Sequence, residues 1–414
     1  MIKRIILLLA ISLLSMQASA VMVGDILNIN GFMTTGFTKS NEDQGVLLPN
    51  SLAISDQYRY TIDSRAGLQI SAQINENVSG TIQLLADFQN NSQELEMQAE
   101  WAFIRYDITD SLAFKTGRMR LPSLQISEAR TIGYSYLWVR PPLEIMDLLA
   151  NDLIDCLSLS YSTVLGDGDY IFSTSAMIGS NPGVNGKVGG KNAMVTTFAL
   201  ENDIWKIRLA WGQGDVDLDT MSETDAANLN AITSGFSNPA LSAFGYNEIA
   251  DYFDVGDKTV QYLVLGFNMD WNDWLIYSEI CQRTADKSII SDGLAYYITL
   301  GRRFGKWTPH ITYSKTSPSN DVVDSINALP DIPGITSDDT LRAGALLLAD
   351  DIYNDDQHTI TLGVKYIPVP GYDIKFDIMR VTPDDGGVGL FKDSTTGYDG
   401  SSVTIYNVAF DMVF

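Results

Sequence analysis

Arg65-Ala66-Gly67-Leu68-Gln69-Ile70-Ser71-Ala72-Gln73-Ile74 alternates polar or small residues with apolar ones along its whole length. Successive side chains of an extended chain point to opposite faces, so Ala66, Leu68, Ile70, Ala72 and Ile74 share one face. Arg65, Gln69, Ser71 and Gln73 share the other. Asn75-Glu76-Asn77 then turns the chain, and Val78 to Phe88 brings it back with Val78, Ile82, Leu84 and Phe88 on the apolar side. Strands of about 10 residues are long enough to cross a bilayer at a tilt. Strands in soluble sandwiches are usually shorter, near 5–6 residues.

The same alternation recurs along the chain, and a transmembrane barrel is recognised by that repetition rather than by any single strand. Sixteen segments fit it: 26–38, 65–74, 78–88, 95–107, 112–120, 156–163, 170–178, 192–201, 205–213, 259–270, 274–283, 293–304, 307–315, 357–367, 372–381 and 402–414. Tight turns at Asn75–Asn77, Ile108–Ser111, Leu165–Asp169, Asn202–Ile204, Trp271–Asp273, Gly305-Lys306 and Pro368–Gly371 alternate with long loops. Such barrels keep short turns on the periplasmic side and long loops outside. Tyr106, Tyr170, Trp205, Trp271, Trp274, Phe304, Trp307, Tyr366 and Tyr372 gather beside the short turns. Aromatic rings prefer the headgroup level, so they mark one membrane interface. The expected fold is therefore all-β: an antiparallel up-and-down transmembrane barrel of about sixteen strands. The facing of Trp101, Phe103 and Arg105 stays open, because the alternation of 95–107 can be read in two ways.

The N-terminus indicates export. Lys3 and Arg4 precede the apolar run Ile5 to Leu14, and Ala18-Ser19-Ala20 supplies a cleavage pattern, so residues 1–20 read as a signal peptide and 21–414 as the barrel. After residue 20 no apolar stretch reaches the length of about 20 residues that a membrane helix needs. Mean hydropathy is +0.01 despite a net charge of −24. So acidic a chain argues against nucleic acid as a partner. Cys156 and Cys281 are no disulfide framework and are expected to be unpaired. Sixteen strands enclose an aqueous lumen, whereas eight would be filled by side chains. No segment before the first strand is long enough for a plug domain.

Enzymatic chemistry finds little support. The two histidines, His310 and His358, lie in strands facing opposite ways, and neither has a nucleophile identifiable by sequence. No Cys and His spacing suggests zinc, and no glycine-rich phosphate loop precedes a helix. No cofactor is expected.

Charge placement says more. Fourteen Lys and Arg fall in the sixteen segments against ten Asp and Glu, so the acidic excess belongs to the loops. A Lys or Arg facing lipid at the midplane costs about 2–4 kcal/mol, so strand charges should face the lumen, and a basic lumen favours anions. The alternative is that these cations pair with strand carboxylates or sit at strand ends. The loop Leu121 to Asp155 is the candidate constriction. It is introduced by Arg118 and Arg120, carries Arg130, Arg140 and the stiff Pro141-Pro142, and has Glu144 and Asp147 close by. Lys206, Arg208, Lys365 and Lys375 are expected to form the basic wall opposite. Two further loops, Gly214 to Lys258 and Thr316 to Gln357, are rich in Asp, with a helix-like piece at Glu223–Ile232. They could bind divalent cations, lie near lipopolysaccharide phosphates bridged by cations, or simply be solvated.

The last strand places Tyr406, Val408, Phe410, Met412 and Phe414 on one face, and it resembles the C-terminal assembly signal of outer-membrane proteins. Gly117-Arg118-Met119-Arg120-Leu121-Pro122 and Tyr134-Ser135-Tyr136-Leu137-Trp138-Val139-Arg140-Pro141-Pro142-Leu143-Glu144 resemble a segment of proteobacterial porins. These are porin-like proteins of marine gamma-proteobacteria, distantly similar to the phosphate-selective and dicarboxylate porins. The resemblance implies a passive, commonly trimeric channel in the Gram-negative outer membrane, in contact with lipid and lipopolysaccharide, whose third extracellular loop folds inward. With the charge reading it implies small hydrophilic, anionic solutes as cargo. The other reading is a structural or adhesive barrel that acts through its acidic loops.

Overall fold

A computed structural model describes residues 21–23, 26–42, 46–47, 53–88, 95–149, 153–181, 189–217, 223–242, 244–254, 258–319, 321–330, 340–346, 356–384, 387–391, 398 and 400–414. The signal peptide read at 1–20 lies outside the described residues.

Sixteen long strands form one closed sheet: β1 Leu27–Ser40, β2 Arg65–Gln73, β3 Val78–Phe88, β4 Leu95–Asp107, β5 Leu112–Arg120, β6 Leu153–Leu165, β7 Tyr170–Asn181, β8 Gly189–Glu201, β9 Trp205–Asp217, β10 Thr259–Trp271, β11 Trp274–Ala285, β12 Gly293–Arg302, β13 Trp307–Pro318, β14 Gln357–Val369, β15 Tyr372–Pro383 and β16 Val403–Val413. Each pairs antiparallel with its sequence neighbours, and β16 pairs with β1 from Ile405↔Ser40 to Val413↔Phe32. At this seam the Gly31 and Phe414 amides each donate to the other's carbonyl, at 2.8 and 2.9 Å. Closure matters because an unpaired strand edge cannot face hydrocarbon. All sixteen expected strands and all seven tight turns are present. The largest extension is at β6, which runs Leu153–Leu165 instead of 156–163. In β8 the alternation is masked by an irregularity between Lys191 and Met194, where Asn192 takes a φ of 52°.

Outward side chains are apolar and exposed. One row crosses β12 to β15 as Leu300, Ile311, Leu362 and Ile378 in register, and another joins Leu209 to Leu265. At the short-turn end Trp271, Phe304 and Trp307 are exposed, Trp307 and Tyr366 lie 4.2 Å apart, and Arg302 caps the Trp274 and Phe304 rings. This is an apolar band with an aromatic girdle, the surface that a lipid bilayer requires. Among the described residues no helix is long and apolar enough to cross a membrane.

Two loop systems leave the sheet. The loop after β5 turns into the barrel, where it carries short 3-10 turns at Ser127–Ala129 and Gly133–Ser135 and the helix α1, Leu143–Leu148. The loops after β9 and β13 meet at the extracellular end. Helices α2 (Glu223–Phe236), α3 (Pro239–Ser242), α4 (Tyr246–Phe253) and α5 (Asp321–Asn327) build a separate hydrophobic core there. Phe236, Tyr246, Phe253, Val322 and Ile326 are fully buried in it, and the Arg342 guanidinium donates to the Tyr246 hydroxyl. The sequence anticipated the helix beginning at Glu223. The shared core was not anticipated, because it joins residues that lie some ninety positions apart.

Candidate functional site

The inner face of the barrel has two unlike halves. From β9 round to β16 and β1 the inward residues are polar yet buried, among them Thr299, Thr312, Ser314, Thr359, Lys375, Asp377 and Asn407. From β2 to β5 many inward residues keep solvent contact at successive levels, whereas on β6 Ile154, Cys156 and Ser158 are buried. In register the levels are Arg65–Asp87–Glu96, then Gln69–Gln83–Trp101, then Ser71–Thr81–Phe103–Gly117, then Ser79–Arg105–Lys115–Ser158. At each of these levels at least one residue is half-buried rather than buried. A lane therefore runs along this half from the loop end to the turn end.

The inward loop is what buries the first half. Trp138 is only 1 % exposed, and its indole donates to the Thr312 hydroxyl at 2.8 Å. It packs among Tyr136, Tyr277 and Tyr297, and Leu124, Ile145 and Leu148 fill the space above Ala210, Val264, Cys281 and Ala295. Small side chains on the wall leave room for large ones on the loop. Gly133 in the loop sits where a Cβ would collide with Asp411 and Thr34. Polar anchors complete the attachment. The Val139 amide donates to Asp377 at 2.7 Å and the Gln125 amide to Glu279 at 2.8 Å.

The predicted site residues take several different places. Lys365 donates to the carbonyls of Tyr134 and Tyr136 and pairs with Asp373 at 3.0 Å. Lys375 donates to the carbonyls of Gly133 and Trp138 and pairs with Asp411 at 3.1 Å. Arg208 donates to the carbonyls of Pro122 and Leu124. These three cations thus lie behind the loop and hold it, whereas the sequence reading placed them across the lumen from it. The reason is chemical: the last carbonyls of irregular backbone need donors, and burial of a Lys needs acceptors. Lys206 pairs with Glu201 at 2.8 Å near the turn end.

Glu144, at the start of α1, is also an anchor. Its buried carboxylate accepts from Ser314 at 2.7 Å, from Gln357 at 2.8 Å and from Thr359. Arg140 makes a two-pronged pair with Asp63 of the first extracellular loop, at 2.9–3.1 Å. Arg120 is buried against Glu100. Arg118 is the clearest departure. It is in register with Asp155 and pairs with it at 2.8 Å on the outer face, beside the exposed Leu157. Lys115 faces inward, and a residue three positions on in a strand cannot share its face. Arg130 and Asp147 are half-buried parts of the loop.

Residues that the sequence reading passed over line the lane instead. A bulge at Glu100 sets Trp101 opposite Gln83, so Trp101, Phe103 and Arg105 all face inward. Glu128 is exposed on the loop and interacts electrostatically with both Lys115 and Arg208. The useful sequence signal was the spacing of Lys115 from Arg105 across the tight turn Ile108–Ser111, which puts the two in register. Of the remaining titratable and thiol groups, His310 is buried 3.4 Å from Asp377 beneath the loop. His358 faces outward at the rim with Asp384 at 2.9 Å. Cys156 and Cys281 are free buried thiols.

No family model matches the chain, and no curated protein matches it in sequence. Solved structures do match in fold. An anion-selective porin from Comamonas acidovorans aligns with a TM-score of 0.57 at 12% identity, covering 94% of this chain and 99% of that one. OmpF of Salmonella typhi, in complex with daunomycin, aligns with a TM-score of 0.56 at 11% identity, over 96% and 100% of the two chains. The outer-membrane channel DcaP of Acinetobacter baumannii aligns with a TM-score of 0.53 at 12% identity, over 94% and 97%. With its closed sixteen-stranded sheet, lipid-facing band and inward third loop, the chain has the fold of the outer-membrane porins.

Proposed function

We propose that the protein is a passive diffusion channel for small hydrophilic solutes across the Gram-negative outer membrane, exported by way of residues 1–20 and assembled as a homotrimer. One observation carries this reading: at each level from Glu96 to Gln73 at least one inward-facing residue keeps solvent contact, along one side of a barrel whose other side is covered by the inward loop. A barrel built only as an anchor or adhesin has no need of a wet lane. The segment 134–144, which resembles marine gamma-proteobacterial porins, forms the core of the loop that narrows the lumen.

Anion preference is the finer part of the proposal. Lys115 keeps solvent contact on the open half and is faced by Glu128, while Arg208 is committed to loop carbonyls and is faced by Glu279 as well as Glu128. A solvated cation on the wall of a confined aqueous path favours anions. Arg105 adds little, being paired with Asp107 at 2.6 Å. In planar-bilayer recordings of the full-length protein under a salt gradient, we expect conductance with an anion-favouring reversal potential. Absence of conductance would remove the channel in favour of the adhesive barrel, and a cation-favouring potential would remove the selectivity alone.

A further inference from the structure

The lane is not uniformly polar. Trp101 and Phe103 project into it from β4, with ring centroids 6.2 Å apart and planes tilted by 53°. Both are half-buried and retain solvent contact, and Phe103 also packs against the buried cluster of Met119, Leu121 and Cys156. The backbone around them is unusual at two points. The Glu100 bulge precedes Trp101 directly. Gly117, in register with Phe103, holds a φ of 129°, with a virtual Cβ 2.8 Å from the Phe103 Cα. A bulge and a positive-φ glycine on one strand pair, flanking half-buried aromatic rings, re-aim side chains into the lane.

The neighbours in register are uncharged and able both to give and to accept hydrogen bonds. Gln83 Nε2 donates to Gln69 Oε1 at 3.0 Å; Gln83 is buried and orients the half-buried Gln69, whose second oxygen lone pair is available beside Trp101. Ser71 and Thr81 share one hydrogen bond at 3.3 Å beside Phe103. Lys115 is drawn over the Phe103 ring at 5.5 Å and is faced by Glu128, and the buried Glu100 beside Trp101 is neutralised by Arg120. Ring faces edged by amides and hydroxyls complement a pyranose, whose axial C–H groups form an apolar face and whose rim carries hydroxyls with the same dual hydrogen-bonding character.

We infer that Trp101 and Phe103, with Gln69 held by the buried Gln83, form a binding subsite in the lane for neutral sugars. This rests on the channel reading, and it adds a substrate class to it. The subsite is shallow and open along the lane, so sugars bind weakly and pass, as conduction requires.

The test is current block of the full-length protein in a planar bilayer by maltotriose, with benzoate as the aromatic-anion control. Maltotriose should reduce the open-channel current in a saturable way. W101A should raise the half-blocking concentration about tenfold, the size expected from losing one stacking contact of roughly 1.4 kcal/mol. W101F, which keeps a ring, should recover most of that loss, and each variant is checked for folding by its heat-modifiable band. Conductance without maltotriose block, block by benzoate alone, or equal block of wild type and W101A would each overturn the sugar subsite while leaving the channel intact. No conductance at all would instead remove the channel reading on which it rests.

Discussion

The two halves of the barrel interior are built from similar residues and put to opposite uses. Both are rich in Ser, Thr, Lys, Arg and Asp. On the β9–β16 half these groups are buried and committed to the inward loop: Lys375, Asp411, Glu144 and Thr359 are all at most 1 % exposed. On the β2–β5 half Ser71, Thr81, Arg105 and Lys115 remain in contact with solvent. The contrast shows that a charged lumenal residue is defined by what covers it. A buried ion needs every partner it has, whereas a solvated one is held by water and is free to act on passing solutes.

Substitutions should separate the halves cleanly. The largest effect is expected for Lys375→Met, which leaves the Asp411 carboxylate buried without its cation and frees two loop carbonyls. We expect a loss of about 3–5 kcal/mol in folded-state stability and a noisy, flickering conductance as the loop detaches. Urea midpoints of the folded band and single-channel traces would measure both, and a stable, quiet variant would show that the loop has other sufficient anchors. Glu144→Gln should come next. It keeps the shape but weakens the acceptance from Ser314, Gln357 and Thr359, costing about 1–3 kcal/mol.

On the open half the pattern should reverse. Lys115→Gln should leave stability unchanged and lower the anion-to-cation permeability ratio roughly two- to fivefold, as expected when one partly screened charge is taken from a narrow path. Reversal potentials read this directly. The smallest effect is expected for Arg118→Ala. Its pair with Asp155 is on the outer face, so conductance and selectivity should match the wild type, and a change in either would place Arg118 in the lumen after all.

The fold was legible because lipid and water impose a period of two on every strand, and no strand had to be located through its partners. Phe414, the tight turns and the girdle aromatics then fixed the orientation. The site was legible only in outline. Pro141-Pro142 and the arginines singled out the loop that turns inward, but Lys365 and Lys375 bind backbone carbonyls, which carry no signature in a sequence. Arg118 was misplaced for a different reason: its facing follows from counting along β5 from Lys115, a count that the sequence permits. Trp101 and Phe103 could not be placed by counting, since the extra residue at Glu100 shifts the alternation midway through β4.

The mounting of the inward loop bears on how such a channel can change. Lys365, Lys375 and Arg208 grip carbonyl oxygens of Tyr134, Tyr136, Gly133, Trp138, Pro122 and Leu124. Every amino acid brings the same carbonyl, so this clamp reads backbone rather than side chains, except at Gly133, where Asp411 and Thr34 leave no room for a Cβ. Glu128, exposed on the loop and away from the clamped carbonyls, can be rewritten without loosening the attachment. The loop behaves as a cartridge in a fixed socket, and redesign of what the pore admits can begin at that position while the socket is left alone.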